Sequence, residues 1–216
     1  MLVTRARGRN TSLIRALEAA GVEAVELPLL AFEPTGAQPP AAWDVLVFTS
    51  ATAVGFWKGP LTGFVAAVGP TTAAALRGRA DLVPERALGE ALAEALGDLR
   101  GKRVCYPRAD KAPPAFEEAL RGAGAELSSF VQYRTVLPPS AKHELASVLP
   151  VDRVALASGS AARHLVEVGG AGCPVVCIGP STAAIARELG LEVAGVASVH
   201  TAEGLAQACL QPPRSA

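Results

Sequence analysis

The chain has 216 residues, 50% of them apolar, 5% aromatic and 19% charged, with 20 basic and 20 acidic side chains cancelling. That is too apolar for a disordered chain, and zero net charge offers no basic field for nucleic acid or anionic lipid. No apolar run reaches the roughly 20 residues of a membrane-spanning helix, and Met1-Leu2-Val3-Thr4-Arg5 lacks a signal-peptide layout, so the expectation is a soluble, cytoplasmic protein of one or two domains.

Short β-type runs alternate with alanine-rich helical stretches. Leu2-Val3-Thr4 reads as a strand, Leu13 to Ala20 as a helix stopped by Gly21, and Val25 to Leu30 as a strand. Val45 to Thr49, Val65 to Val68 and Asp81-Leu82-Val83 read as further strands. Helices are predicted over 51–57, 71–77 and 89–96, the last with Leu88, Leu92 and Leu96 on one stripe. The order then repeats from Val104, which predicts an α/β fold with parallel sheets flanked by helices. The tail Gln211 to Ala216 is expected to be loose.

The repeat is visible residue by residue. Arg5, Leu17 and Gly21 match Arg108, Leu120 and Gly124, each 103 positions later. Asp44, Ser50 and Ala53 match Asp152, Ser158 and Ala161 at 108, and Gly69-Pro70-Thr71-Thr72 matches Gly179-Pro180-Ser181-Thr182 at 110. Glu90, Leu92 and Ala93 match Glu203, Leu205 and Ala206 at 113. The pattern implies two similar halves, each large enough for its own core. Two extended segments ending in proline, 30–37 and 133–139, read as paired linkers. Periodicity alone leaves open whether the domains follow in succession or the chain crosses and returns.

Neither cysteines nor histidines suggest a metal. Cys105, Cys173, Cys177 and Cys209 form no CxxC, and His143, His164 and His200 have no ligand spacing, so the cysteines are expected to be buried thiols.

Small hydroxyl residues follow nearly every strand: Thr49-Ser50, Gly69-Pro70-Thr71-Thr72, Ser158-Gly159-Ser160, Gly179-Pro180-Ser181-Thr182 and Thr201. In open parallel sheets this is where ligands bind. Helix capping accounts for each loop taken singly, whereas together such helix starts would present amides and hydroxyls to a polyanion. No G-x-G-x-x-G, GxxxxGK[ST] or G-x-S-x-G occurs. Asp110 reads as part of a solvated charged loop. Tyr133 begins the second linker, where its phenol is either a weak proton donor or a half-buried aromatic.

Taken together these residues resemble the uroporphyrinogen-III synthase family. The likeness rests on Thr4-Arg5, Phe48-Thr49-Ser50 with Ala53-Val54, Val68-Gly69, Tyr133 with Thr135 before a proline, and Ser158. It continues through Ile178-Gly179-Pro180-Ser181-Thr182-Ala183 and Thr201-x-x-x-Leu205. Thr52 stands where the family often has Asn or Arg, and Pro107 where glycine is common.

The resemblance implies two α/β domains joined by a two-stranded β linker, 1–34 with 136–216 forming one and 38–132 the other. It implies dehydrative cyclisation of hydroxymethylbilane to uroporphyrinogen III with inversion of ring D, by a lyase of heme biosynthesis needing no cofactor or metal. Loss of the terminal hydroxyl gives an azafulvene; ring D attacks through its substituted carbon, and a spiro intermediate fragments and recloses. The partner implied is one linear tetrapyrrole polycarboxylate, with no nucleic acid or membrane, and the protein is expected to be a monomer. Tyr133 would be the catalytic proton donor. Arg5, Thr49, Ser50, Gly69, Thr71, Ser158, Gly159, Ser160, Gly179, Ser181, Thr182 and Thr201 would bind substrate. Arg5 is as readily read as half of a structural ion pair. A two-domain binding protein for a small polyanion is the alternative reading, and a two-domain glycosyltransferase a weaker third.

Overall fold

The structure, a computed structural model, describes residues 1–211, so the expected loose tail beyond Gln211 lies outside the described residues. In chain order the first half forms β1 (Leu2–Val3), α1 (Thr11–Ala19), β2 (Val25–Glu26), β3 (Ala31–Pro34) and β4 (Val45–Phe48). It continues with α2 (Ala51–Phe56), β5 (Phe64–Ala67), α3 (Pro70–Ala75) and α4 (Gly89–Leu96). The second half forms β6 (Arg103–Ala109), α5 (Ala115–Gly122), β7 (Glu126–Val136), α6 (Ala141–Val148) and β8 (Val154–Leu156). α7 (Gly159–Glu167), β9 (Val175–Cys177), α8 (Pro180–Glu188), β10 (Val193–Val196) and α9 (Ala202–Leu210) follow.

Two compact units result, one containing Met1–Ala31 and the chain from Val136, the other Phe32–Thr135. The first holds a parallel sheet in the order β10-β9-β8-β1-β2, the second a sheet in the order β3-β7-β6-β4-β5. In the second, β5-β4-β6-β7 run parallel. The two sequence halves therefore do not build separate cores. Each sheet joins two strands from the front of one repeat to strands from the back of the other.

Period-two alternation then makes two apolar layers per sheet. In the first unit Leu2, Val154, Leu156, Val175 and Cys177 pack with α6, α7 and α8, while Val3, Ala155 and Val176 pack with α1 and α9. In the second, Val45, Val47, Val104 and Tyr106 pack with α4 and α5, and Leu46, Phe48, Cys105 and Tyr133 pack on the α2 and α3 side.

Several expected elements differ. The run Val25 to Leu30 is a strand only at Val25–Glu26, although the Leu27 and Leu29 amides still donate to Val3 and Thr4 at 3.0 and 3.1 Å; Pro28 between them has no N–H to continue the ladder. Asp81-Leu82-Val83 reduces to one bridge between Leu82 and Ala66, because the Asp81 carboxylate takes the Val65 amide at 2.8 Å and Pro84 follows. Leu88 leaves the α4 stripe: as the residue before the first turn it is 52% exposed, whereas Leu92 is fully buried. The first segment read as a linker contains β3, and the second begins with the last four residues of β7, both strands of the second sheet. All four cysteines are free and buried, and burial pushes the thiols of Cys105 and Cys209 up to about 12 and that of Cys177 to about 11.

Candidate active site

Residues leaving the strand ends become helix starts by a chemistry used in both units. Ser50 and Ser158 have extended backbones and accept the amides of Ala53 and Ala161 at 3.0 and 3.2 Å, opening α2 and α7. Gly69 and Gly179 precede the prolines that open α3 and α8, at matching dihedrals of −177°, 177° and −175°, 175°. These angles suit any residue; close approach selects glycine. A Cβ on Gly69 would lie 2.7 Å from Cβ of Ala87, and one on Gly179 would meet the His200 ring at 3.0 Å. Thr201 caps α9 by accepting the Gly204 amide at 3.1 Å, while its counterpart Leu88 has no side chain that can cap α4.

In the second unit two tyrosines converge on the end of β4. Thr49 and Ser50 are consecutive. Thr49 Oγ1 lies 2.9 Å from the Tyr106 hydroxyl, and Ser50 Oγ lies 3.0 Å from that of Tyr133. Tyr106 rises from β6 with its ring edge-on to Phe116 at 5.1 Å, within the layer of α4 and α5. Tyr133 rises from β7 in the other layer, stacked on Phe56 at 5.5 Å and edge-on to Phe32 at 5.6 Å. Both rings are buried, at 2% and 5% exposure.

The four hydroxyls line a cavity of about 430 Å³; among the described residues its other polar side chain is Glu90, and no Lys or Arg is in its wall. Each hydroxyl pair carries two protons and uses one internally, which leaves one O–H per pair free to donate. Burial raises the Tyr106 phenol above its ordinary value, so it stays protonated and acts as a donor near neutrality.

Tyr133 is also braced through its backbone. Its carbonyl accepts the Asp110 amide at 3.0 Å, and the Asp110 carboxylate accepts the Thr135 amide at 3.2 Å. Asp110, read as part of a solvated loop, is instead a clamp on this strand. The reason is a register shift beside Arg108, which pairs Ala109 with Tyr133 and turns Asp110 back onto β7.

The remaining expected residues fall into two groups. Thr71, Ser181 and Thr201 are exposed, and Ser158, Gly159 and Ser160 half-buried, all at helix starts. Thr182 is 4% exposed because the first turn of α8 directs it to the packed side with Ala183 and Ala186; it is not on the open rim with Ser181. Arg5 is half-buried and in no ion pair among the described residues, so the structure holds no internal salt bridge for it. Its loop is tied down by Asn10, unnoticed in the sequence, which is fully buried and donates to the Arg5 carbonyl at 3.0 Å and to Glu26 at 2.7 Å. The repeat mate Arg108 is engaged differently: its guanidinium lies 2.6 Å from Glu117, with both side chains largely buried.

Tyr106 was likewise not singled out from the sequence. Within Val104-Cys105-Tyr106-Pro107 it reads as an ordinary core strand residue; the available signal was a second tyrosine replacing Val3 in the repeat. Among the described residues no group of three or more His, Cys, Asp or Glu could hold a metal ion, and no helix is long and apolar enough to cross a membrane.

Comparison with known proteins places this geometry in context. A family model described as uroporphyrinogen-III synthase HemD matches residues 11–207. The chain is 28% identical to the chloroplastic uroporphyrinogen-III synthase of Oryza sativa subsp. japonica, over 89% of this chain and 73% of that protein. It is 25% identical to the uroporphyrinogen-III synthase of Synechococcus elongatus, over 95% and 92%. The crystal structure of uroporphyrinogen-III synthetase from Helicobacter pylori shares the fold, with a TM-score of 0.69 at 19% identity over 97% of both chains. The chain belongs to the uroporphyrinogen-III synthase family.

Proposed function

We infer that this chain is a cyclising lyase of heme biosynthesis, converting hydroxymethylbilane to uroporphyrinogen III with loss of water and inversion of ring D. Family membership over residues 11–207 carries the reading. It also displaces the alternative of a binding protein without chemistry.

The chemistry asks little of the protein beyond one proton and a folded substrate. The Tyr133 phenol gives its proton to the departing hydroxyl, which leaves as water. The pyrrole N–H proton released on forming the azafulvene restores the balance. What then distinguishes the product is which carbon of ring D attacks, and holding the bilane so that the substituted carbon is nearer is catalysis by orientation. Free O–H groups of the hydroxyl pairs, with Thr71, in the second unit serve that holding. In the first unit Arg5, Ser158, Ser160, Ser181 and Thr201 do so, along with the amides after Gly159 and Gly179. A phenol suits the proton step because it is a neutral donor, so it adds no second charge to a wall that already carries the Glu90 carboxylate.

In this reading the two units are the two domains, and β3 and β7 carry the connecting segments. A cytoplasmic monomer independent of nucleic acid and membrane agrees with four free, buried cysteines and zero net charge. It agrees too with exposed large apolar side chains that are, among the described residues, few and divided between the units (Phe64, Val83 and Leu88; Leu149, Val199 and Leu210). The test is incubation with freshly generated hydroxymethylbilane, then oxidation and separation of the porphyrin isomers. Type III is expected. Type I alone would overturn the reading.

A further inference from the structure

We propose that Tyr106 is a positioning residue of this site: its phenol holds the Thr49 hydroxyl toward the cavity, so that Thr49 donates to a carboxylate of the substrate. The proposal rests on the reading of the cavity as a substrate site.

The internal repeat supplies the control. Tyr106 matches Val3 at the repeat spacing of 103, and Thr49 matches Ala157 at 108. In the first unit Val3 on β1 sits beside Ala155 of β8, and Ala157 follows that strand, so the same sheet geometry is built with no hydroxyl at either position. Packing therefore requires neither the phenol nor the threonine. The second unit introduces both together, 2.9 Å apart, at a cavity wall.

A buried phenol left alone would carry a desolvated hydroxyl, so the pair is also self-satisfying. Capping does not account for it, since Ser50 and not Thr49 caps α2. Charge complementarity does not either: among the described residues the cavity wall holds the Glu90 carboxylate and no Lys or Arg, so the hydroxyls are the side-chain donors it offers to a carboxylate. The Tyr106 ring is pinned against Phe116 and only its hydroxyl reaches Thr49, which fixes one rotamer of a side chain that would otherwise sample several.

The experiment is a double-mutant cycle of Tyr106→Phe and Thr49→Val, read as KM and kcat on hydroxymethylbilane. Uroporphyrin affinity, followed by quenching of Trp43 and Trp57 fluorescence, is read in parallel. Each single variant should raise KM and weaken uroporphyrin binding about three- to ten-fold, the range of one lost hydrogen bond, with kcat unchanged. The double variant should be no worse than Thr49→Val, and Thr49→Ser should bind as the parent does. Unchanged binding in Tyr106→Phe, or effects that multiply in the double variant, would overturn the proposal. Should Tyr106→Phe fold poorly, Thr49→Val and Thr49→Ser still decide it, because equal affinity in those two means that no Thr49 donation exists. A parent protein producing only type I porphyrin would sink the functional reading, while the uroporphyrin cycle would still judge Tyr106.

Discussion

Compared position by position, the two units use the same helix starts and differ in what stands behind them. Ser50 and Ser158 cap equivalent helices, and Gly69-Pro70 and Gly179-Pro180 open equivalent helices at nearly the same dihedrals. Behind Ser50 lies Tyr133, whose repeat mate is Leu30; behind Thr49 lies Tyr106, whose mate is Val3. The cations differ in the opposite sense. Arg108 in the second unit is neutralised by Glu117, while Arg5 in the first has no ion pair among the described residues. Features shared by both copies have a sufficient reason in folding, whatever else they do. Those present in one copy need another reason, and the phenols and the unpaired Arg5 are such features.

That contrast can be broken experimentally. The largest effect is expected from Tyr133→Phe, which should lower turnover by about one to three decades with little change in melting temperature if the phenol supplies the proton. An unchanged kcat would leave orientation as the sole contribution.

The paired caps give a sharper test of shared against particular. Ser50→Ala and Ser158→Ala should each destabilise by about 1 kcal/mol in chemical denaturation, since each removes one bond to a helix-start amide. Only Ser50→Ala also strands the Tyr133 hydroxyl, so it should lower kcat by more than Ser158→Ala does. Equal losses of kcat would erase the distinction between the units.

The smallest expected effect concerns pH. Asp44 receives the Arg103 guanidinium and backbone amide at 2.8 to 3.1 Å, and these hold its carboxyl well below the usual carboxylate range. A depressed native value means that the stabilisation is present above the unfolded value of about 4 and fades as pH falls below it. Asp44→Asn should therefore flatten the acid limb of a stability–pH curve below about pH 4. Asp152→Asn, at the exposed repeat mate with no ion pair among the described residues, should not. Because Asp44 and Arg103 are themselves partly exposed, salt should shrink the difference.

Legibility followed the range of the interaction. Helix α4 is found over the residues its periodicity predicts, 89–96, and the Gly-Pro helix starts announced themselves because capping is decided within four residues. Tyr133 stood out as one of two tyrosines at a segment end. Asp110 was misread because its partners, Tyr133 and Thr135, are more than 20 positions away and reach it only through a register shift. Tyr106 was passed over since one aromatic inside an apolar strand is the commonest core pattern, and only pairing of β6 with β4 brings it to Thr49.

The sequence by itself determined the period of the elements, the two-fold repeat, the helix starts and the family, all of which depend on local spacing or on order along the chain. The tertiary structure alone decided which halves of the repeats share a sheet, and hence that each core draws on both. It also decided which strand-end hydroxyls have a phenol behind them and which of Arg5 and Arg108 has an ion pair among the described residues. These depend on residues 57 to 83 positions apart meeting at the end of one strand, and no local pattern encodes that meeting.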